Sequence, residues 1–183
     1  MISDPASVLR DLIGREPMAL GALPNERGIY VLHDHGGTIR YIGITKSSGF
    51  FDRIHNRHVT GSEGRSHKFS HAYNTGRMWR ARWDACPDAY LAKRLRTEFI
   101  RRHCRATFVS LPEPLWAELP MLESEVQALA PESMLDWGGR DFSPLSEPTD
   151  FVDALLEELS LSHDQRAAVE RQAALHAATL VQD

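Results

Sequence analysis

A chain of 183 residues with 42% hydrophobic content is long enough for one core domain with an appendage, and two full-sized domains would be a squeeze. No run reaches the roughly eighteen apolar residues of a membrane span, and the N-terminus carries acid early where a secretory leader needs an apolar core. Both observations point to a cytoplasmic protein with no membrane partner. Cys86 and Cys104 are too few for a disulfide framework and wrongly spaced for a four-ligand zinc site, so they read as small buried hydrophobes. The net charge of −4 argues against a uniformly basic nucleic-acid binder, but the charge is segregated. Residues 40–110 hold fifteen Lys or Arg against five Asp or Glu, while the rest of the chain holds six against twenty. A basic middle of this kind suits phosphates, with salt-sensitive binding. The bland alternative is solvated helix faces, since Arg80, Arg82, Lys93, Arg94, Arg96, Arg101 and Arg102 lie in stretches that look helical and exposed.

In chain order, Pro5 to Gly14 predicts a short helix that leads into Leu23-Pro24 and covers a sheet edge. GIYVLHD and TIRYIGIT, rich in β-branched and aromatic residues and separated by His35-Gly36-Gly37, predict a β-hairpin. Alternation places Tyr30 with Leu32, and Tyr41 with Ile39 and Gly43. A tight Gly-Gly loop brings the two tyrosines near opposite positions on the paired strands. The stretch from Gly49 to His58 predicts a helix with Phe50, Ile54 and Phe51 inward and Arg53 off that stripe. In Ser62–Asn74 the residues His67, Lys68, His71, Tyr73 and Asn74 are spaced to share a helix face. His67 and His71, at i and i+4, are a metal-chelating spacing without a third ligand, so substrate contact is the stronger reading. Trp79 or Trp83 offers a stacking surface for an unpaired base, with at least one of them expected in the core.

An amphipathic stretch, Ala89–His103, precedes a third strand at Ala106–Leu111, ended by Pro112 and Pro114. Leu119–Pro131 predicts a helix with Leu122, Val126 and Leu129 on its apolar stripe and Glu123 beside it. Residues 138–148 read as a Gly-, Pro- and Ser-containing linker. The tail from Thr149 predicts two helices. The first carries Phe151, Leu155, Leu156 and Leu159; the second begins at a Ser162–Gln165 capping box and runs through Val169, Ala173 and His176 or Ala177. These helices complete a core, lie as an acidic mimic on the basic middle, or mediate homodimerisation. No internal repeat, phosphate loop or nucleophilic Ser or Cys motif is present.

The tripeptides Gly28-Ile29-Tyr30 and Tyr41-Ile42-Gly43, ten residues apart, resemble the signature of the GIY-YIG nucleases. The resemblance covers roughly residues 24–137. It implies an α/β (α+β) fold, a small three-stranded sheet flanked by helices; outside it, residues 1–23 read as a helical lead-in and 138–183 as linker and helical extension. It also implies a metal-dependent endonuclease that hydrolyses phosphodiester bonds in DNA, RNA not being excluded. In the family an arginine on the helix after the second tripeptide contacts the scissile phosphate, and Arg53 matches it. A histidine or tyrosine usually follows four residues later. Here Arg57 holds that place and His58 lies one beyond, which leaves the auxiliary role between His58 and His55. The family's metal-binding glutamate follows a leucine on the last helix, which makes Glu123 the ligand for Mg²⁺ or Mn²⁺, ahead of Glu125. Glu98 falls before the third strand, and its i+3 and i+4 arginines suggest a surface ion pair. The family's asparagine has no clear counterpart, Asp136 being nearest.

The resemblance makes Tyr30 the base that takes a proton from water and leaves Tyr41 to orient the water or phosphate. Arg57, His67, Lys68, His71 and Asn74 are expected to contact substrate. A free tyrosine titrates near about 10, so work near neutral pH needs about 4 kcal/mol of help from neighbouring cations. Two other readings stand beside the enzyme: a degenerate module that holds nucleic acid without cutting it, and an interaction protein on a nuclease scaffold.

Overall fold

The hairpin forms where alternation and turn chemistry place it. In the computed structural model, which describes residues 4–139 and 142–181, strand β2 (Gly28–His33) pairs antiparallel with β3 (Ile39–Ile44). The Asp34 carboxylate caps the turn between them, accepting from the Gly36 and Thr38 amides at 2.9 Å each. The third expected strand, β4 (Arg105–Ser110), pairs with the other edge of β2. The sheet has four strands rather than three, in the order β1-β4-β2-β3, because β1 (Met18–Ala19) adds to β4. Two residues are too few to show an alternating pattern in a sequence.

Every residue of β2 is buried, as suits a central strand covered on both faces. On one face Ile29, Val31, Ile42, Ile44 and Val109 form a core with Val8 and Leu12 of α1 (Pro5–Gly14) and with Leu119, Leu122 and Val126 of α4 (Leu119–Leu129). Helix α1 therefore packs into the core rather than only shielding an edge. On the other face Tyr30 meets Phe50 edge-on, with 6.3 Å between ring centroids, and Phe50 lies 4.7 Å from Phe108. Gly28 is required here: a Cβ on it would collide with the Val109 carbonyl.

The chain divides into two compact units. Unit 1 comprises residues 1–58 and 103–142, and unit 2 residues 59–102 and 143–183. Unit 2 contains α2 (Lys68–Ala72), most of α3 (Pro87–His103), α5 (Thr149–Glu158) and α6 (His163–Leu180). Phe99 sits 5.0 Å from Tyr73, and Val152, Leu155, Leu156 and Val169 are buried. Val152 points inward where Phe151 was expected, and Phe151 is exposed. The capping box of α6 is present. The acidic tail pairs with the basic middle inside this unit: Arg77 holds Glu147 and Asp153 at 2.6 Å each, Arg102 meets Glu158, and Arg171 reaches back to Asp88 at 2.7 Å. Glu98 forms the expected ion pair with Arg101.

Two expectations are corrected. Cys86 is exposed while Cys104 is buried, and of the arginines read as solvated helix residues Arg80 is buried outside any helix and Arg96 has no exposed surface. Residues 1–3 of the N-terminal stretch and 140–141 of the expected linker lie outside the described residues. Among the described residues no helix is long and apolar enough to cross a membrane.

Candidate active site

The two signature tyrosines meet by a diagonal rather than a direct pairing. Tyr30 stands opposite Gly43 and Tyr41 opposite Leu32, so both phenols rise from one face, two positions apart across the ladder. Their ring centroids are 6.2 Å apart. Gly43 makes this possible, because a Cβ there would lie 2.5 Å from Cε1 of the Tyr41 ring. The ring lies over the glycine. Gly43→Ala is expected to displace the Tyr41 phenol while leaving the sheet intact, with a melting temperature near wild type. A thermal melt and the tyrosine ring resonances of the same preparation separate the two effects.

The segment after β3 supplies the cation. Phe51–Val59 is a π-helix, whose hydrogen bonds run i→i+5, so the residue five along from Arg53 returns to its face. That residue is His58. In an α-helix the residue four along, Arg57, would share that face. Arg57 instead turns to solvent and pairs with Asp52 at 3.2 Å, and His55 stacks on Phe51 with centroids 4.6 Å apart. His58 is buried, and its Nε2 lies 2.8 Å from the Tyr30 hydroxyl; Arg53 donates through Nε to the same oxygen at 3.3 Å. Arg53 also bonds the Tyr41 phenol, so one guanidinium pins both tyrosines.

The carboxylate comes from α4. Leu122 and Val126 anchor that helix in the core, and the Gln127 amide donates to the Ile42 carbonyl at 3.1 Å, which fixes α4 against β3. Glu123, one turn before Gln127, therefore faces the tyrosines, while Glu125 is exposed. Tyr41, Glu123 and Gln127, with Leu135, Gly138 and Gly139, line an open cleft of about 490 Å³. The Trp137 amide donates to the Arg40 carbonyl at 2.9 Å and holds this last segment beside β3. Asp136 is engaged by Arg40, which also binds Asp34 at 2.8 Å.

Charge in the cleft is finely opposed. Burial raises the Glu123 pKa, against the pull of Lys46 and Arg53. Burial also raises Tyr41, with Glu123 adding to the effect and Arg53 opposing it. Tyr30, with no exposed surface, is raised far above the usual tyrosine range by burial and then by Tyr41, which overwhelms Arg53. Arg53 acts on Tyr30 in the expected direction, but alone it does not offset burial. Burial works against the Arg53 cation, but the two phenols prevail and its pKa rises. Lys46 and Gln127 were not singled out in the sequence. Lys46 offered only a basic residue just past a strand end.

Set against family models, curated proteins and solved structures, the chain matches none. The site therefore rests on its own geometry. The remaining expected contacts lie in unit 2. Both polar atoms of the Asn74 carboxamide are bonded to Arg80 backbone, and its oxygen also receives Arg96. His71 bonds the Glu63 carbonyl at 2.8 Å, Ser62 bonds His67 at 3.1 Å, and Lys68 is buried. These groups help to build unit 2.

Among the described residues no group of three or more His, Cys, Asp or Glu could hold a metal ion, so a zinc-type cage is not supplied. The donor set does fit Mg²⁺ or Mn²⁺. Mg²⁺ keeps several waters and is commonly held by one or two carboxylates together with substrate phosphate oxygens, and the desolvated Glu123 at the cleft is such a carboxylate.

Proposed function

We propose that this chain is a GIY-YIG-type endonuclease that hydrolyses phosphodiester bonds in DNA, with unit 1 as its nuclease core. The observation that carries the reading is the convergence of Tyr30, Tyr41, Arg53 and His58 beside Glu123, four of them tied through a single guanidinium and one phenol. Glu123 would hold the divalent ion, which stabilises charge on the phosphate and the leaving oxygen when bound. Arg53 has five donors and spends its Nε on Tyr30, leaving terminal nitrogens for a non-bridging phosphate oxygen.

Proton transfer follows from the burial of Tyr30. Its phenol stays neutral at rest; Arg53 donates to its oxygen, and in the tautomer that leaves His58 Nε2 unprotonated its own hydrogen goes to that nitrogen. A free phenolate is opposed by the surroundings. The Tyr30 oxygen therefore takes a proton from the attacking water as its own proton passes to His58, so that no buried negative charge accumulates. Tyr41, at the cleft, orients the water. If Tyr30 and His58 act as one relay, Tyr30→Phe and His58→Ala each lower kcat by about 10²-fold or more, and the double variant is no slower than the worse single one. Multiplying losses, or full activity in Tyr30→Phe, would remove the relay.

One observation favours a second reading. Asp136, the residue nearest the family's asparagine, is committed to Arg40, so that part of the family's pattern is missing. A module that binds DNA in a salt-sensitive way but never cuts it in Mg²⁺ or Mn²⁺ would express that difference.

A further inference from the structure

Unit 2 carries a strained aromatic that its fold does not use. The chain turns at residues 81–84, closed by the Asp84 amide donating to the Ala81 carbonyl at 3.1 Å, and Trp83 takes the third position with φ 71°. A turn with positive φ there normally carries glycine, and for a bulky aromatic this backbone is a genuine outlier. Such strain persists only where the surroundings impose it. Arg80 does so here. Its Nη1 donates to the Asp84 carbonyl at 3.1 Å, and its Nε donates to Glu63 at 2.5 Å, a carboxylate that the wholly buried Arg96 also holds at 2.6 Å. The indole gains no burial in return: it is 75% exposed, with the Arg82 guanidinium 5.0 Å from its ring centroid.

In the same unit a cavity of about 450 Å³ is lined by Arg65, Arg80, Arg82, His71 and Glu63, among others. Three arginines line it against one carboxylate, which Arg80 and Arg96 share. A cationic pocket that shares Arg82 with a solvent-facing indole suits one strand of nucleic acid, because every base has a face to stack and every nucleotide a phosphate to place. We propose that the 81–84 turn and this cavity dock a single-stranded nucleic-acid segment, with an unpaired base on Trp83 and a neighbouring phosphate against Arg65 and Arg82. In a paired duplex the bases stack on one another and leave no face for the indole. The choice of nucleic acid rests on the nuclease reading, but the residues lie outside the Tyr30–Glu123 cluster.

The test is binding of a labelled single-stranded oligonucleotide and its duplex to the full chain in EDTA, by fluorescence anisotropy, alongside thermal melts. Trp83→Gly is expected to bind the single strand about tenfold more weakly while melting at or above wild type, because glycine accepts this backbone without strain. Trp83→Asn, which also tolerates it, gives the same loss, and Arg82→Gln lowers the salt slope by about one. Unchanged single-strand affinity in Trp83→Gly and Trp83→Asn overturns the proposal, as does displacement by poly-glutamate as effective as by unlabelled oligonucleotide. Wild type that binds through Trp83 but cuts nothing in Mg²⁺ or Mn²⁺ removes the nuclease reading alone; wild type that cuts normally with Trp83→Gly unaltered in binding removes the docking site alone.

Discussion

Replacing Arg53 by alanine is expected to reduce DNA cleavage by about 10³-fold, the largest single loss in the site, with little loss of stability. The guanidinium has two tasks that fail together. It is the half-buried cation nearest both phenols, and it bonds both of them, so its removal frees Tyr41 and withdraws the donor from the Tyr30 oxygen. It is also the group proposed to bind a phosphate oxygen, and loss of one preorganised donor to developing charge costs about 10²–10³ in kcat on its own. Arg53→Lys should recover little, because an ammonium is a point charge and cannot present a planar fork to two phenols and a phosphate at once. The melting temperature should hold, since burial opposes this cation and nothing in the apolar core depends on it. Single-turnover cleavage with a melt on each variant checks both halves. A lysine variant with wild-type rate would mean that charge alone matters.

Glu63→Ala is expected to destabilise the fold by about 3–5 kcal/mol, roughly 10 °C in melting temperature, through a different mechanism. Glu63 is buried against Arg80 and Arg96, and Arg96 has no exposed surface. Removing the carboxylate leaves a guanidinium in the interior without its counter-charge. The cost is that of the stranded charge, so Glu63→Met with Arg96→Met should be milder than Glu63→Ala alone. The same cluster sets the acid limit. Burial pushes the Glu63 pKa up, but hydrogen bonds from Arg80 and Arg96 overcome it and bring it to about 2. The folded value lies below the ordinary carboxylate value, so the unfolded chain takes up the proton first as pH falls. The contribution is therefore fully present above about pH 4.5 and is lost progressively toward pH 2. Melts from pH 7 to pH 2.5 should show an acid-dependent fall in wild type that is blunted in the Met/Met variant.

These two clusters differ in how far the sequence revealed them. The hairpin was legible because strand alternation and a Gly-Gly turn are local signals; Arg53 and Glu123 were reached through the resemblance, and of the apolar stripe beside Glu123 Leu122 and Val126 are buried while Leu129 is exposed. His58 was legible only as one of two candidates. Helical arithmetic assumes an i→i+4 ladder, and the π-helix shifts the register by one residue without any mark in composition. The diagonal placement of Tyr41 was hidden for a related reason, because register depends on where the turn closes and on a ring folding over Gly43. The burial of Arg96 was misread because charged residues on a helix are usually solvated, and only tertiary pairing with Glu63 from a distant segment reverses that. The strain at Trp83 has no sequence signature beyond a tryptophan where a turn prefers glycine.

The most direct test of the nuclease reading is cleavage of supercoiled plasmid and a labelled single strand in Mg²⁺, Mn²⁺ and EDTA by wild type, Glu123→Ala and Glu98→Ala. Cutting is expected to need the metal, to be abolished by Glu123→Ala and to survive Glu98→Ala, whose carboxylate pairs with Arg101 at 3.3 Å. Wild type that cuts neither substrate in either metal, or cutting that persists in Glu123→Ala, would contradict that reading.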